Sequence, residues 1–301
     1  MVCGWALIGA GHCGLQLARA LAVGGGGAVA VVEPNAARRR IARRHLPGVT
    51  VASGLAQIPA VDTWLISIPD NELHLWPEQA VIEAVALPRI ALHTSGLHPS
   101  DVLAPLARRG AAVGSFHPLV SFPTAGRSAV ILDGAWAAIE GDAPALHAAR
   151  AFARRLRMHS FLIDPAGKAR YHAAASLAAN LTYVLIVTAR GLWATAGVPE
   201  EPASRAMEPL VLGAVRHALR ARGMEDLTGP LARRDAAALR AHLAALPPGI
   251  AAAYAAVSLV ALQALLDDGA VTGPTARTIE KALTVPSHCV SVRSRKHFGS
   301  H

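Results

Sequence analysis

The sequence predicts an α/β chain in which a doubly wound, mostly parallel sheet is followed by an all-helical part. Short apolar runs alternate with helical patterns over residues 5–163. A glycine-rich turn joins the first apolar run to the first helical pattern. From Lys168 onward the strand-like runs stop and apolar helical patterns take over. We therefore expect two domains, residues 1–165 and 166–285, and a basic, flexible tail over 286–301.

The first element is an apolar strand that runs into a turn with the spacing G-x-G-x-x-G. Gly9, Gly11 and Gly14 follow it, a helical pattern covers residues 15–23, and a second apolar run ends in Glu33. This order is typical of a dinucleotide-binding Rossmann unit, in which the glycines serve the turn, the pyrophosphate and the helix packing. The acid at the end of the second strand binds ribose hydroxyls. We assign to the cofactor Gly9, Ala10, Gly11, His12, Cys13, Gly14, Glu33, Ser67, Pro69 and Asp70.

The choice between the two nicotinamide dinucleotides depends on the residues around Glu33. An acid at this place favours NAD, whereas the arginines Arg38, Arg39 and Arg40 on the next helix could hold the 2′-phosphate of NADP. Because Glu33 stands directly at the strand end, the sequence favours NAD over NADP.

Further strands are predicted over residues 49–53, 63–68, 89–93 and 111–115. Ligands of such sheets lie beyond the carboxyl ends of the strands, which places Ser67, Pro69 and Asp70 beside the cofactor. An N-cap of the next helix is the favoured role for Asp70. A helix over 101–109, capped by Ser100 or Asp101, completes this stretch.

Histidines follow two successive predicted strands. His93 and His98 follow one strand and His117 follows the next, in the sequences H-T-S-G-L-H and S-F-H-P-L. Polar groups that gather at strand ends favour a substrate site. We expect His117 to be the first candidate for proton transfer, Ser95 to orient the substrate and His93 to contact it. Strands over 129–132, 135–140 and 159–163, with a helix over 143–156, end this part.

The long helical pattern over 168–195 carries a polar row on an apolar face. His172, Ser176 and Asn180 recur every four residues and so spread over about 80° of a helix. Such a row is either a buried hydrogen-bond network or the wall of an active site, and we favour the wall. Further helices are expected over 202–222 and 236–245, with a buried helix over 249–266.

Composition excludes several other classes of protein. The net charge is +9, but aromatic residues make up only 4% and the arginines are scattered, so we expect no nucleic-acid partner. The apolar run 251–266 is short and bounded by turn residues, which favours a core helix over a membrane span. Without a basic leader and without metal-like cysteine spacing, the chain is expected to be cytoplasmic and free of metal.

Four motifs together resemble the Rossmann-like proteins that carry the domain of unknown function 2520. They are H-T-S-G at 93–96, S-F-H-P-L at 115–119, Tyr171-His172 with Asn180, and L-T-G-P-L-A-R-R-D at 227–235. The resemblance covers residues 4–267. That family is similar to pyrroline-5-carboxylate reductase, ketopantoate reductase and 6-phosphogluconate dehydrogenase.

The resemblance implies an NAD(P) domain, a helical domain of the 6-phosphogluconate dehydrogenase type and a homodimer built by the C-terminal helices. The loop at 228–235 resembles the substrate loop of pyrroline-carboxylate reductases, which implies substrate contacts for Thr228, Arg233 and Arg234. His117-Pro118 resembles the His-Pro-Met motif of prephenate dehydrogenases, whose histidine lies in the active site.

One departure concerns the proton donor. Hydroxyacid and ketopantoate enzymes carry a lysine four residues before the helix asparagine, where this chain has Ser176. Lys168 lies too far along the helix to replace that lysine, so His117 or His172 takes the role, with Asn180 and Ser95 as hydrogen-bonding groups. We expect an oxidoreductase that moves a hydride between a nicotinamide and a C=N or C=O group of a small, anionic substrate. The alternative is an NAD(P)-binding sensor without turnover.

Overall fold

The computed structural model describes residues 4–23, 27–122, 132–224 and 226–284. The chain forms two compact units, Met1–Leu185 and Ile186–His301. The division lies twenty residues beyond the place where strands give way to helices, so the first helical stretch belongs to the first unit.

The first unit is built on an eight-stranded sheet. Its strands are β1 (Trp5–Ile8), β2 (Ala30–Val32), β3 (Thr50–Ala52), β4 (Thr63–Ile66), β5 (Ile90–His93), β6 (Ala112–Pro118), β7 (Trp136–Gly141) and β8 (His159–Leu162). The strand order is β3-β2-β1-β4-β5-β6-β7-β8. All neighbours are parallel except β6 and β7, so the predicted mostly parallel sheet is confirmed.

Helices cover both faces of this sheet. They are α1 (His12–Val23), α2 (Ala36–His45), α3 (Asp70–Leu73), α4 (Trp76–Glu83), α5 (Ala104–Ala107), α6 (Ala143–Arg155) and α7 (Lys168–Ser176). One buried cluster contains Leu17 and Phe152, and the other contains Trp64 and Leu106. Because a parallel sheet is buried on both faces, its strands read as continuous apolar runs, which is why the sequence located most of them.

Three local expectations are wrong. Strand β6 extends to Pro118 because antiparallel β7 continues the ladder beyond the last pair with β5, so His117 lies within the strand opposite Ala138. The predicted helix 101–109 is a 3₁₀ turn, Ser100–Leu103, followed by the short α5, with no side-chain cap. Asp70 does not cap α3 either, since Pro69 occupies the N-cap position. Of the strand expected over 129–132, only Leu132 lies within the described residues.

The single helix expected over 168–195 contains a wider turn. A π-helical segment, Leu177–Leu181, separates α7 from α8 (Thr182–Thr195). The hydroxyl of Thr182 donates to the carbonyl of Leu177 over 3.0 Å, across this wider turn. Such π turns are rare and occur often at functional sites.

The second unit is helical. It contains the remainder of α8 together with α9 (Glu200–Ala218), α10 (Ala236–Ala245), α11 (Pro248–Asp267) and α12 (Gly273–Ala282). The buried helix expected over 249–266 is buried on one face only, since Val257 is 56% exposed while Ala255 and Leu262 lie in the core. The sequence missed α12, which is short and polar outside the positions that pack on this core. The expected tail lies outside the described residues.

By length and composition alone, two helical stretches could cross a membrane, Pro165–Thr195 and Pro248–Asp267. The most apolar window of the first has no buried residue, whereas 22% of the second is buried. In the sequence analysis, only the apolar run within the second stretch was weighed as a membrane span.

Candidate functional site

A cavity of about 470 Å³ opens at the carboxyl ends of β1, β2, β4, β5 and β6. Its described lining runs from the glycine turn to the histidines and comprises Gly9, Gly11, His12, Cys13, Glu33, Pro34, Asn35, Arg38, Ser67, Ile68, Pro69, Asp70, Glu72, Thr94, Ser95, Gly96, His117, Pro118, Val120, Phe122 and His172. The cavity therefore lies where ligands bind in open parallel sheets, and most of the residues expected at the cofactor line it.

The three glycines of the turn have different surroundings. Gly9 has a positive φ of 88°, and a Cβ there would lie 2.4 Å from the carbonyl oxygen of Ser67. A Cβ at Gly14 would lie 2.6 Å from the carbonyl oxygen of Gly9, whereas one at Gly11 would meet nothing within 4 Å. Gly9 and Gly14 thus allow close packing of the backbone, whereas Gly11 lines the cavity and leaves open space there.

The amino end of α1 faces this space. The helix begins at His12, and the first N–H groups of an α-helix have no partner within the helix. With the partial positive charge of the helix end, these groups favour an anion such as a pyrophosphate. The N–H of Ala10 is not free for that purpose, because it donates to Glu33 Oε2 over 2.9 Å.

Glu33 is bound on both sides by backbone groups. Besides the bond from Ala10, its Oε1 accepts the N–H of Asn35 over 2.8 Å, and the residue is only 3% exposed. Glu33 therefore braces the glycine turn against the end of β2. Because the Glu33 carboxylate is buried and already accepts two hydrogen bonds, little of its surface is accessible to the hydroxyls of a ribose.

The neighbouring arginines have separate roles. The Arg39 guanidinium donates to the carbonyls of Glu33 and Pro34, over 2.9 and 2.5 Å. Arg38 is exposed and lines the cavity, and its side chain has no recorded bond among the described residues. Arg38 is thus the cation at the Glu33 end of the cavity.

Cys13 lies in the first turn of α1 and lines the cavity. Burial raises the pKa of its thiol to about 11, against a smaller opposite effect of hydrogen bonds with Ser67 and Thr94. The thiol stays protonated at neutral pH, which makes it a poor nucleophile and fits a small packing residue.

His117 and the start of α7 form the other end of the cavity. His117 Nδ1 lies 2.7 Å from the hydroxyl oxygen of Tyr171, and its ring centroid lies 5.8 Å from that of His172. A Cβ at Gly96 would lie 2.8 Å from His117 Nε2 and 2.7 Å from His172 Cδ2. The two rings therefore occupy the space that a side chain at Gly96 would need.

Burial lowers the pKa of His117 to about 4, with smaller contributions from His172 and Lys168, while Asp70 acts in the opposite direction. Burial also raises the pKa of Tyr171 to about 12. At neutral pH a neutral imidazole thus shares a short hydrogen bond with a protonated phenol.

Ser95 and His93 hold the loop that follows β5. Ser95 Oγ accepts the N–H groups of Leu97 and His98, each over 3.1 Å. His93 is fully buried and its Nδ1 accepts the N–H of Ser95 over 3.2 Å. Burial holds the pKa of His93 well below its usual range, as does the nearby Lys168. His93 lies beneath the described cavity lining, in a supporting position rather than the substrate contact expected for it.

The polar row on α7 lines an adjoining, open cavity of about 1020 Å³. Ser176 and Asn180 lie in its wall, and His117 and His172 belong to the walls of both cavities. All three residues of the row thus line one cavity, with Asn180 inside the π turn, and the active-site role of this wall stays a prediction. The remaining candidates, Thr228, Arg233 and Arg234, belong to the second unit, where the Arg234 guanidinium donates to the Ala270 carbonyl over 2.7 Å.

Several residues of the site were missed from the sequence. Arg38 had been noted without a place in the cavity, and Tyr171 was quoted only as part of a motif. Lys168, Glu140 and Ser115 form a buried polar cluster that was not expected at all. For Ser115 and Glu140 the signal was a polar or charged residue within an otherwise apolar strand, and Lys168 gave none.

Two family models match separate parts of the chain. A Rossmann-like domain model matches residues 3–118, and the model of the domain of unknown function 2520 matches residues 135–261. No curated protein sequence matches the chain.

Solved structures share the fold at low sequence identity. A Bacteroides fragilis protein provisionally assigned as an NADP oxidoreductase is 21% identical with a TM-score of 0.68, over 92% of this chain and 97% of its own. A reductive aminase from Aspergillus terreus, in complex with NADPH and ethyl-5-oxohexanoate, is 16% identical with a TM-score of 0.56, over 94% and 93%. A semialdehyde dehydrogenase NAD-binding protein from Cupriavidus necator is 20% identical with a TM-score of 0.55, over 75% and 87%. The chain is therefore similar to a Rossmann-like domain over residues 3–118 and to the domain of unknown function 2520 over residues 135–261.

Proposed function

We propose that this protein is an NAD(P)-dependent oxidoreductase acting on a C=N or C=O group of a small substrate. One observation carries the proposal: a single cavity has the open glycine turn and the end of α1 at one end and His117 with His172 at the other. Binding groups for an anion and a candidate proton carrier thus face the same space. The folds of solved NAD- and NADP-binding proteins support the same class.

The described residues suit a dinucleotide. Gly11 leaves room for a pyrophosphate, the first turn of α1 supplies free N–H groups, and Arg38 supplies a cation at the Glu33 end. When bound, a nicotinamide would supply or accept the hydride. The protein's part is to position the reactants and to move the proton.

His117 is suited to hold that proton. Because its imidazole is neutral at pH 7, it can accept a proton from an alcohol or amine when the substrate is oxidised. In the reverse direction the ring N–H donates its proton to the substrate, the Tyr171 hydroxyl passes its proton to Nδ1, and water returns a proton to the Tyr171 oxygen. His172 and Ser95 line the same cavity as His117, and Asn180 lines the adjoining one; these three side chains would orient the substrate heteroatom. The prediction that the substrate is anionic depends on Arg233 and Arg234, and it stays a prediction.

A fluorescence titration with NADPH and NADH, followed by a panel of cyclic imines and 2-keto acids, tests this proposal. We expect binding of at least one cofactor and loss of 340-nm absorbance with a member of the panel. Binding without oxidation by any compound of a broad panel would favour the sensor alternative. Failure to bind either cofactor in both redox states would overturn the proposal.

We further propose that the cofactor is NADP(H). The sequence favoured NAD through Glu33, but this carboxylate is buried and bonded to two backbone N–H groups. Arg38 is the exposed cation in the same part of the cavity, and a guanidinium binds phosphate with charge-assisted hydrogen bonds.

Arg38→Ala is expected to weaken NADPH binding by about 10- to 100-fold, since one charge-assisted bond contributes roughly 1.5–3 kcal/mol. NADH binding should stay within about twofold, because NADH lacks the phosphate. Arg40→Ala is the matched control, since Arg40 is exposed and is not among the described residues of the cavity wall. Equal losses for both cofactors in Arg38→Ala would contradict the assignment.

We propose, finally, that the protein forms a homodimer in which the apolar segment around α8 is covered by a second copy. Leu177, Leu181 and Leu185 are 62%, 48% and 49% exposed, and α8 contains no buried residue. Apolar surface of this extent marks an interface, and a two-fold axis would place the same patch of each copy against the other.

Light scattering in detergent-free buffer should give twice the chain mass of 31.2 kDa. Leu181→Glu is expected to shift the protein toward the monomer, whereas Leu75→Glu, at another exposed leucine, should leave the mass unchanged. A wild-type monomer would contradict the dimer, and solubility only with lipid or detergent would point to a membrane partner.

A further inference from the structure

Lys168 is buried at the beginning of α7, with 1% of its surface exposed. Its Nζ donates to Ser115 Oγ over 2.7 Å, to the Ser95 carbonyl over 3.2 Å and to Glu140 Oε1 over 3.3 Å. Glu140 is 3% exposed, and its other oxygen accepts the hydroxyl of Ser100 over 2.7 Å. The ammonium is thus fully paired, and it is not among the described residues that line the two cavities.

These bonds join four separate pieces of the site. Ser95 follows β5, Ser115 belongs to β6, Glu140 belongs to β7 and Lys168 begins α7. Residues three and four positions along an α-helix share a face, so Lys168 lies on the side of α7 that carries Tyr171 and His172. The ammonium therefore connects the strand that holds His117 to the helix that holds its two ring partners.

The loop after β5 completes this connection. Lys168 donates to the Ser95 carbonyl, and the next residue is Gly96, where an added Cβ would lie within 2.8 Å of the rings of His117 and His172. A displacement of the Ser95 carbonyl would move Gly96 against both rings or away from them. The spacing of the two histidines thus depends on a bond that lies outside the cavity.

We propose that Lys168 is a positioning residue of this site: its ammonium sets the place of the Gly96 loop relative to α7, and its charge acts on the His117 imidazole. The inference deepens the proposed function, because it concerns the residue to which we assign proton transfer. It does not make Lys168 a donor to the substrate.

Four described groups act electrostatically on the His117 imidazole. From α7, His172, Lys168 and the hydroxyl of Tyr171 act on His117, and Asp70 acts from the first position of α3. A nearby positive charge disfavours protonation of an imidazole. Burial lowers the pKa of Lys168 itself, but the charge and hydrogen bond of Glu140 oppose this effect and favour the ammonium form.

The test replaces Lys168 by methionine, which has similar length and no charge, and follows the His117 ring by NMR in the full-length protein. In the wild type the pKa of His117 is lowered to about 4, so its ring should stay neutral on titration from pH 8 to 5. In Lys168→Met we expect that pKa to rise above about 4 but to stay below the ordinary value of about 6.5, because burial and His172 continue to lower it, and the titration is therefore extended to the lowest pH at which the protein stays folded. His117→Gln assigns the resonance, and Lys281→Met, at an exposed lysine, is the matched control.

Kinetics give the second readout. With an active substrate, kcat of Lys168→Met should fall at least tenfold while the KM for the cofactor stays within about twofold. The acidic limb of the pH profile should move to higher pH. A loss confined to folding would not shift that limb.

Lys168→Met leaves Glu140 without its partner in a buried place, which can prevent folding. The variant Lys168→Met/Glu140→Gln removes both charges and keeps an acceptor for Ser100, and it should show a smaller rise of the His117 pKa in the same direction. An unchanged His117 titration in a folded variant overturns the proposal. If the wild type turns over no substrate, the proposed function fails while the NMR measurement still decides the role of Lys168.

Discussion

Gly11→Ala is expected to weaken NADPH binding by about 100-fold or more while leaving the melting temperature unchanged. A methyl group at this position meets no atom within 4 Å, so the fold accommodates it. The same methyl group projects into the space in front of the α1 amino end, where a pyrophosphate would accept several N–H groups. Loss of two such charge-assisted bonds, at roughly 1.5–3 kcal/mol each, accounts for an effect of this size.

Gly14→Ala provides the contrasting control. Its methyl group would lie 2.6 Å from the Gly9 carbonyl oxygen and 2.8 Å from the Ser67 Cβ, so the turn or the helix has to shift. Overpacking of this kind costs about 1–3 kcal/mol, and thermal unfolding should reveal it as a lower melting temperature. Cofactor binding as tight in Gly11→Ala as in the wild type would exclude this turn as the pyrophosphate site.

His117→Gln is expected to lower kcat by about 10²- to 10⁴-fold, the range for loss of a positioned proton carrier, without changing the dissociation constant of the cofactor. Glutamine keeps a polar side chain of similar reach but cannot exchange a proton at neutral pH. Stopped-flow measurement of the 340-nm signal separates the two quantities. His159→Gln, at an exposed histidine of β8, is the matched control.

The pH dependence of the same step follows from the lowered pKa of His117. A base must be unprotonated, so oxidation of the substrate should decline only as the pH falls through about 4, and this group should cause no decline between pH 6 and 8. Tyr171→Phe removes the hydroxyl at Nδ1 and should reduce kcat by less than His117→Gln. If His172→Gln abolishes turnover while His117→Gln does not, the proton carrier is His172.

The organisation of the first unit could be predicted from local patterns. The glycine spacing after an apolar strand located the turn between β1 and α1, and apolar runs located the parallel strands because both faces of the sheet are buried. The spacing of His172, Ser176 and Asn180 placed them on one wall, which the structure reproduces despite the π turn. The periodicity of a sequence shows which residues share one face of a strand or helix. The turn, the strands and the polar row could be predicted because each depends only on residues close together in the chain.

What each charged group does was decided by tertiary contacts between residues far apart in the chain. Glu33 reads as a ribose ligand from its position, yet the fold uses both of its oxygens for the N–H groups of Ala10 and Asn35. Lys168 forms hydrogen bonds with Ser115 and Ser95, which lie 53 and 73 residues away in the chain, and no local sequence pattern predicts such contacts. The sequence alone determined the doubly wound sheet and the sheet edge at which the cavity opens. Only the tertiary structure determined which polar side chains face the cavity and which are buried beneath it, because a buried polar group must find its partners wherever packing brings them.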